Sequence, residues 1–150
     1  MLYFFNYLSN IKFYIKNNMG KVTAVITLNM DSQKVYKYLK DRYDSERYKQ
    51  ACIDTKGYVP PIKLVENEVN SKLKFTVMGY DALLKMHMGS WTWTYRLKEI
   101  DAHKAELTLS YQWSFLMTLL AMGTIKSQAT NELVETVLAL DALEQAVVLV

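Results

Sequence analysis

Residues 90–100 read SWTWTYRLKEI, residues 105–115 read AELTLSYQWSF, and residues 116–150 follow as LMTLLAMGTIKSQATNELVETVLALDALEQAVVLV. Trp91, Trp93 and Tyr95 alternate in the first run, and Tyr111, Trp113 and Phe115 alternate in the second. A strand sends residues i, i+2 and i+4 to one face, so each run presents an aromatic stripe on one side of a sheet. In the third run the apolar period lengthens from 2 to about 3.6. Leu119, Met122, Ala129, Leu133, Val137, Leu140 and Val147 trace one side of a long helix. Gly123 marks either where that helix starts or a close approach to the sheet. A helix laid over an aromatic sheet face makes either a filled core or a hydrophobic pocket.

The residues that decide between those outcomes are Trp91, Trp93, Tyr95, Tyr111 and Trp113, with Met122, Leu133 and Val137 facing them from the helix. As a pocket wall they combine large apolar area with polar tips that orient a guest. As core they bury the same area, and each indole N–H and phenol O–H then needs a partner. The two readings are compatible, because a pocket wall is also core.

Upstream, residues 21–30 (KVTAVITLNM) are β-branched and apolar and predict a strand. Asp31-Ser32 offers a helix cap, and Val35, Tyr36, Leu39 and Tyr43 recur at helical spacing, so residues 33–41 predict a short helix. Asp44-Ser45 caps a second, at 46–53. Gly57 and Pro60-Pro61 punctuate the chain. Residues 62–69 and 73–80 predict two strands joined at Asn70-Ser71. Met88-Gly89-Ser90 and Asp101-Ala102-His103 read as turns. Hairpin-length connections favour an antiparallel sheet. The expected class is α+β: a curved antiparallel sheet gripping a long C-terminal helix, with two short helices after the first strand.

The segment Asp31-Ser32-Gln33-Lys34-Val35-Tyr36-Lys37-Tyr38-Leu39-Lys40-Asp41 and the helix at 117–147 carry a resemblance. In order and local pattern the chain resembles the START-like helix-grip superfamily, which includes polyketide cyclases, lipid-transfer domains and birch-pollen-allergen type proteins. The resemblance spans about residues 20–148 and departs from the pattern in lacking a Pro before the first helix. It implies a hydrophobic cavity between sheet and helix that binds a hydrophobic small molecule or lipid. It implies two alternatives as well: a cyclase/aromatase-type enzyme using that cavity, or a protein-interaction module of the chaperone-cofactor or ribosome-associated kind.

At 150 residues the chain is one domain by size, and its 51% hydrophobic content supports a core. Residues 1–98 hold 16 Lys/Arg against 8 Asp/Glu, whereas Glu132, Glu135, Asp141 and Glu144 meet no Lys or Arg across 127–150. The body is therefore basic and the outer face of the last helix acidic. A net charge of +3 gives no reason to expect nucleic acid. Cys52 is alone, so no intrachain disulfide forms, which fits a cytoplasmic setting. No apolar run reaches the roughly 18 residues of a transmembrane span.

Residues 1–18 (MLYFFNYLSNIKFYIKNN) carry six aromatics, two Lys and no acid. They read as an N-terminal extension to a domain at 19–150. Three readings stay open: an amphipathic helix on the body or in peripheral contact with a membrane, a targeting segment, or a mis-assigned start with Met19 as the first residue.

Catalytic signatures are sparse. Five scattered Gly build no phosphate loop, two His and one Cys close no standard zinc site, and no nucleophile elbow is present. No metal or cofactor is expected, and binding rather than catalysis is the first reading. His87 shares parity with Trp91 if the strand is unbroken, which would place an imidazole in the cavity; in a turn it is a surface residue. Arg96 is expected to face solvent, and His103 to sit in a turn without a role. Glu66 and Glu68 share a strand face as a possible acid/base pair or a solvated edge. The run Lys34, Lys37, Lys40, Arg42, Arg47 and Lys49, interleaved with Tyr36, Tyr38, Tyr43 and Tyr48, reads as single-strand nucleic-acid binding or as an ordinary amphipathic helix pair. Asp41, Asp44 and Glu46 among them favour the latter.

Overall fold

The computed structural model describes residues 3–8, 11–18, 20–81, 86–113 and 124–148. Among the described residues, seven strands and three α-helices follow in the order β1 (Tyr3–Leu8), β2 (Ile11–Asn18), β3 (Lys21–Leu28), α1 (Ser32–Asp41), α2 (Glu46–Lys56), β4 (Lys63–Glu68), β5 (Lys72–Asp81), β6 (Met86–Asp101), β7 (Lys104–Trp113) and α3 (Thr124–Val148). A single 3-10 turn, Arg42–Asp44, joins α1 to α2. The strands form one curved sheet of order β1-β2-β3-β7-β6-β5-β4, antiparallel at every described pair. This is the α+β architecture expected from the sequence.

The N-terminal segment is strand where its sequence allowed an amphipathic helix. β1 and β2 pair from Tyr3↔Lys16 to Leu8↔Ile11, and β2 continues onto β3 from Lys12↔Thr27 to Asn18↔Lys21. The reason is period 2: Ile11, Phe13 and Ile15 alternate with Lys12, Tyr14 and Lys16. The two short helices accordingly follow the third strand of the chain. A second correction falls on Met88-Gly89-Ser90, which lie inside β6 rather than in a turn. Gly79 pairs with Gly89 and Tyr80 with His87, so Met88 is the extra residue of a β-bulge.

Local chemistry fixes the helix ends. The Asp31 carboxylate accepts the Lys34 N–H at 2.9 Å, and the Ser45 hydroxyl accepts the Tyr48 N–H at 3.2 Å, which satisfies orphan donors of α1 and α2. Gly57 ends α2 at φ 77°, its N–H donating to the Ile53 carbonyl at 2.9 Å. Asn70 adopts φ 57° in the β4–β5 hairpin, a conformation that Asn tolerates better than most residues.

β3 sits between β2 and β7, and its inward residues Val22, Ala24, Ile26 and Leu28 are fully buried. They oppose Tyr111, Leu109, Leu107 and Ala105 of β7, also buried. α3 packs on β3 and β7. Its stripe of Ala129, Leu133, Val137 and Leu140 is fully buried in the same cluster. Leu119 and Met122 lie outside the described residues. On the other side of α3, Glu135 is exposed, and Glu132 and Asp141 are half-buried.

Candidate functional site

The alternation in β6 and β7 places the expected aromatics side by side. Trp91 opposes Trp113, Trp93 opposes Tyr111, and Tyr95 opposes Leu109. The rings stack as a continuous wall: Phe75 on Trp93 at 5.9 Å, Trp93 on Tyr111 at 6.0 Å, and Trp91 beside Trp113 at 6.0 Å between centroids. Trp93, Tyr95, Tyr111 and Trp113 are buried and Trp91 is half-buried. Leu133 and Val137 of α3 belong to the same cluster. Of the residues singled out from sequence, Met122 falls outside the described residues, and the rest come together.

A polar network runs through this apolar wall. The Tyr43 and Tyr95 hydroxyls share a hydrogen bond of 2.7 Å. Tyr111 and Thr136 lie beside the Tyr95 hydroxyl. The Arg42 Nη1 donates to Thr136 Oγ1 at 2.8 Å, and that hydroxyl donates to the Glu132 carbonyl at 2.9 Å. Arg42 also lies over the Tyr43 ring, 5.7 Å from its centroid. Burial pushes the Tyr43, Tyr95 and Tyr111 phenols above their ordinary pKa, so all three remain neutral donors at physiological pH. Burial weighs against the Arg42 cation, and the phenol oxygens of Tyr95, Tyr43, Tyr111 and Tyr38 more than offset it. One buried group stands apart: the Trp93 Nε1–H has no acceptor among the described residues. An unmet buried donor costs about 1–3 kcal/mol.

A second feature opens where α1, α2 and the C-terminal half of α3 meet. A groove of about 720 Å³ is lined by Met30, Lys34, Lys37, Tyr38, Asp41, Arg42, Ser45, Arg47, Tyr48, Ala51, Ala139, Ala142 and Leu143. The basic, Tyr-interleaved run therefore divides. Tyr36 and Tyr43 pack into or against the core, with Lys40 over the Tyr36 ring. Lys34, Lys37, Arg42 and Arg47 line the groove with Tyr38 and Tyr48. Arg42 belongs to both features, since its guanidinium enters the tyrosine network. Arg42, Tyr43 and Thr136 were not separable in the sequence from an ordinary basic helix and an ordinary helix threonine.

The other candidates place plainly. Glu66 accepts from both Lys72 and Lys74. These bonds hold its carboxyl down at about 2, so it is an ion rather than an acid at neutral pH. Glu68 is exposed on the same strand. Arg96 is exposed, and His103 is an exposed turn residue whose backbone N–H donates to Asp101 at 2.7 Å. His87 is in β6, and its side chain lies outside what is described. Cys52 is buried and forms no disulfide. Among the described residues no cluster of His, Cys, Asp and Glu could hold a metal ion. No described helix is long and apolar enough to cross a membrane.

No protein-family model and no curated protein matches the sequence. Solved structures do. A solution NMR structure of a protein from Arthrobacter aurescens matches with a TM-score of 0.56 at 11% identity, over 84% of this chain and 89% of that one. The crystal structure of Zhui aromatase/cyclase from a Streptomyces species matches with a TM-score of 0.33 at 13% identity, over 63% of this chain and 67% of that one. The crystal structure of protein Ms6760 from Mycobacterium smegmatis matches with a TM-score of 0.33 at 13% identity, over 83% of this chain and 96% of that one. At such identities a likeness speaks for fold alone. The fold shared with the Arthrobacter aurescens protein is an antiparallel sheet curved around a long C-terminal helix.

Proposed function

We propose that this chain binds a hydrophobic small molecule or lipid between the sheet and α3, with the aromatic wall of β6 and β7 as the principal contact. Trp91, Trp93, Tyr95, Tyr111 and Trp113 supply the wall, and Leu133 and Val137 supply the helix side, with Met122 as the further contact expected from the sequence. The observation that carries this reading is the Trp93 indole N–H, buried without an acceptor among the described residues beside a Tyr43–Tyr95 hydroxyl pair that is bonded. Buried donors are nearly always satisfied in folded proteins, and a guest with one acceptor atom would complete the set. The fold is compatible with small-molecule binding. A free Cys52 fits the cytoplasmic setting expected from the sequence.

Native mass spectrometry of the purified protein tests this directly, followed by thermal shift against a lipid panel. Co-purifying adducts or a saturable rise in Tm are expected. Trp93→Phe removes the N–H and keeps an aromatic ring, so it should weaken acceptor-bearing ligands more than pure hydrocarbons. Absence of both adduct and shift would remove the proposal.

A further inference from the structure

None of the five wall aromatics lines the groove between α1, α2 and α3, which meets the wall's polar network at Arg42. We propose that it holds a single-chain amphiphile with a carboxylate head, seated on Arg42 and drawn in by Lys37 and Arg47. Its volume of about 720 Å³ falls within the roughly 300–1,000 Å³ of small-molecule sites. The trough exists because three of its positions are alanine: Ala51 on α2, and Ala139 and Ala142 on α3. Met30 and Leu143 complete an apolar floor, so the occupant must bring hydrocarbon.

It must also bring negative charge. Four cations line the groove, and Asp41 is the acid among the lining residues. Lys34 is 3.8 Å from Asp31. Lys37 and Arg47 are exposed, with no ion-pair partner among the described residues. Arg42 commits Nη1 to Thr136, which leaves its Nε–Nη2 edge without a hydrogen bond among the described residues. That edge presents two parallel N–H groups, the fork that matches a carboxylate in bidentate fashion. Its aromatic and aliphatic surroundings strengthen such a pair over the same pair in water. The half-buried guanidinium is thus the anchor and the exposed cations are the attracting rim.

The test is calorimetric titration of the full chain with dodecanoate below its micelle concentration, beside 1-dodecanol as the neutral equivalent. Dodecanoate should bind, and dodecanol should bind at least tenfold more weakly. Lys37→Glu/Arg47→Glu changes two exposed side chains and leaves the fold intact. It should weaken dodecanoate by about tenfold, equivalent to roughly 1.4 kcal/mol, and leave dodecanol unchanged. Ala142→Trp should fill the trough and abolish both, with circular dichroism confirming the fold. No binding of dodecanoate overturns the proposal, as does equal binding of the alcohol or insensitivity to charge reversal. Loss of binding in Trp93→Phe but not in the charge-reversal variant would place the chain at the aromatic wall, which overturns the groove site and leaves the interior site standing. Sedimentation equilibrium supplies the last arm: self-association abolished by charge reversal would make the occupant a second copy of this protein and overturn the amphiphile.

Discussion

Thr136 shows how much one hydroxyl can organise. It accepts from Arg42 and donates to the Glu132 carbonyl, which uses its single donor and one of its two acceptor lone pairs. Thr136→Val keeps the shape and removes both bonds, leaving a half-buried guanidinium short of a partner. The expected loss is about 1–3 kcal/mol, read from urea midpoints at unchanged m-value, while Thr136→Ser stays closer to the parent protein. Glu66 gives a pH prediction at the same scale. Its hydrogen bonds to Lys72 and then Lys74 lower its pKa from 4.5 to about 2. A depressed carboxylate contributes stability above its unfolded pKa and loses it as pH falls through the folded value. Its contribution should therefore vanish between pH 4.5 and 2. Glu66→Gln should flatten urea midpoints across that window, and salt should flatten them too, because the group is solvent-exposed.

Secondary-structure elements were legible wherever one periodicity dominated. The aromatic strands declared themselves because Trp91, Trp93 and Tyr95 alternate with Thr92, Thr94 and Arg96, and the stripe from Ala129 to Leu140 declared the helix. Capping chemistry at Asp31 and Ser45 located α1 and α2. β1 and β2 were less legible because Tyr14 breaks the contrast between Ile11, Phe13, Ile15 and the lysines. Met88-Gly89-Ser90 misled because a glycine that serves a bulge and one that serves a turn look alike without the partner strand. The groove was not legible at all: Ala139 and Ala142 read as good helix formers, and only their position opposite Arg42 and Ala51 makes space. The stripe itself predicts a contrast along α3. Leu133 is fully buried and Leu138 is 46% exposed. Leu133→Ala should cost about 2–5 kcal/mol, and Leu138→Ala within about 0.5 kcal/mol. Thermal unfolding of the pair checks whether α3 is gripped on that face and no other.

At the scale of the whole molecule, the sheet has a natural seam between β2 and β3. The buried core cluster among the described side chains runs from Val22 to Leu140, across β3 to β7 and the helices packed on them. The backbones of β1 and β2 pair in sequence outward from β3. A fragment of residues 20–150 should therefore unfold cooperatively, with a near-UV circular dichroism spectrum dominated by the same Trp93–Tyr111 stack. Its cost lies elsewhere. Removing β2 strips the hydrogen bonds from one side of β3 between Lys21 and Thr27 and turns a paired strand into an exposed edge rich in Val, Ile and Thr, a template for association. Concentration-dependent sedimentation of the fragment, against a monodisperse full chain, is the expected signature. A fragment with no cooperative transition would show instead that the N-terminal hairpin belongs to the folding unit and that the seam is one of register alone.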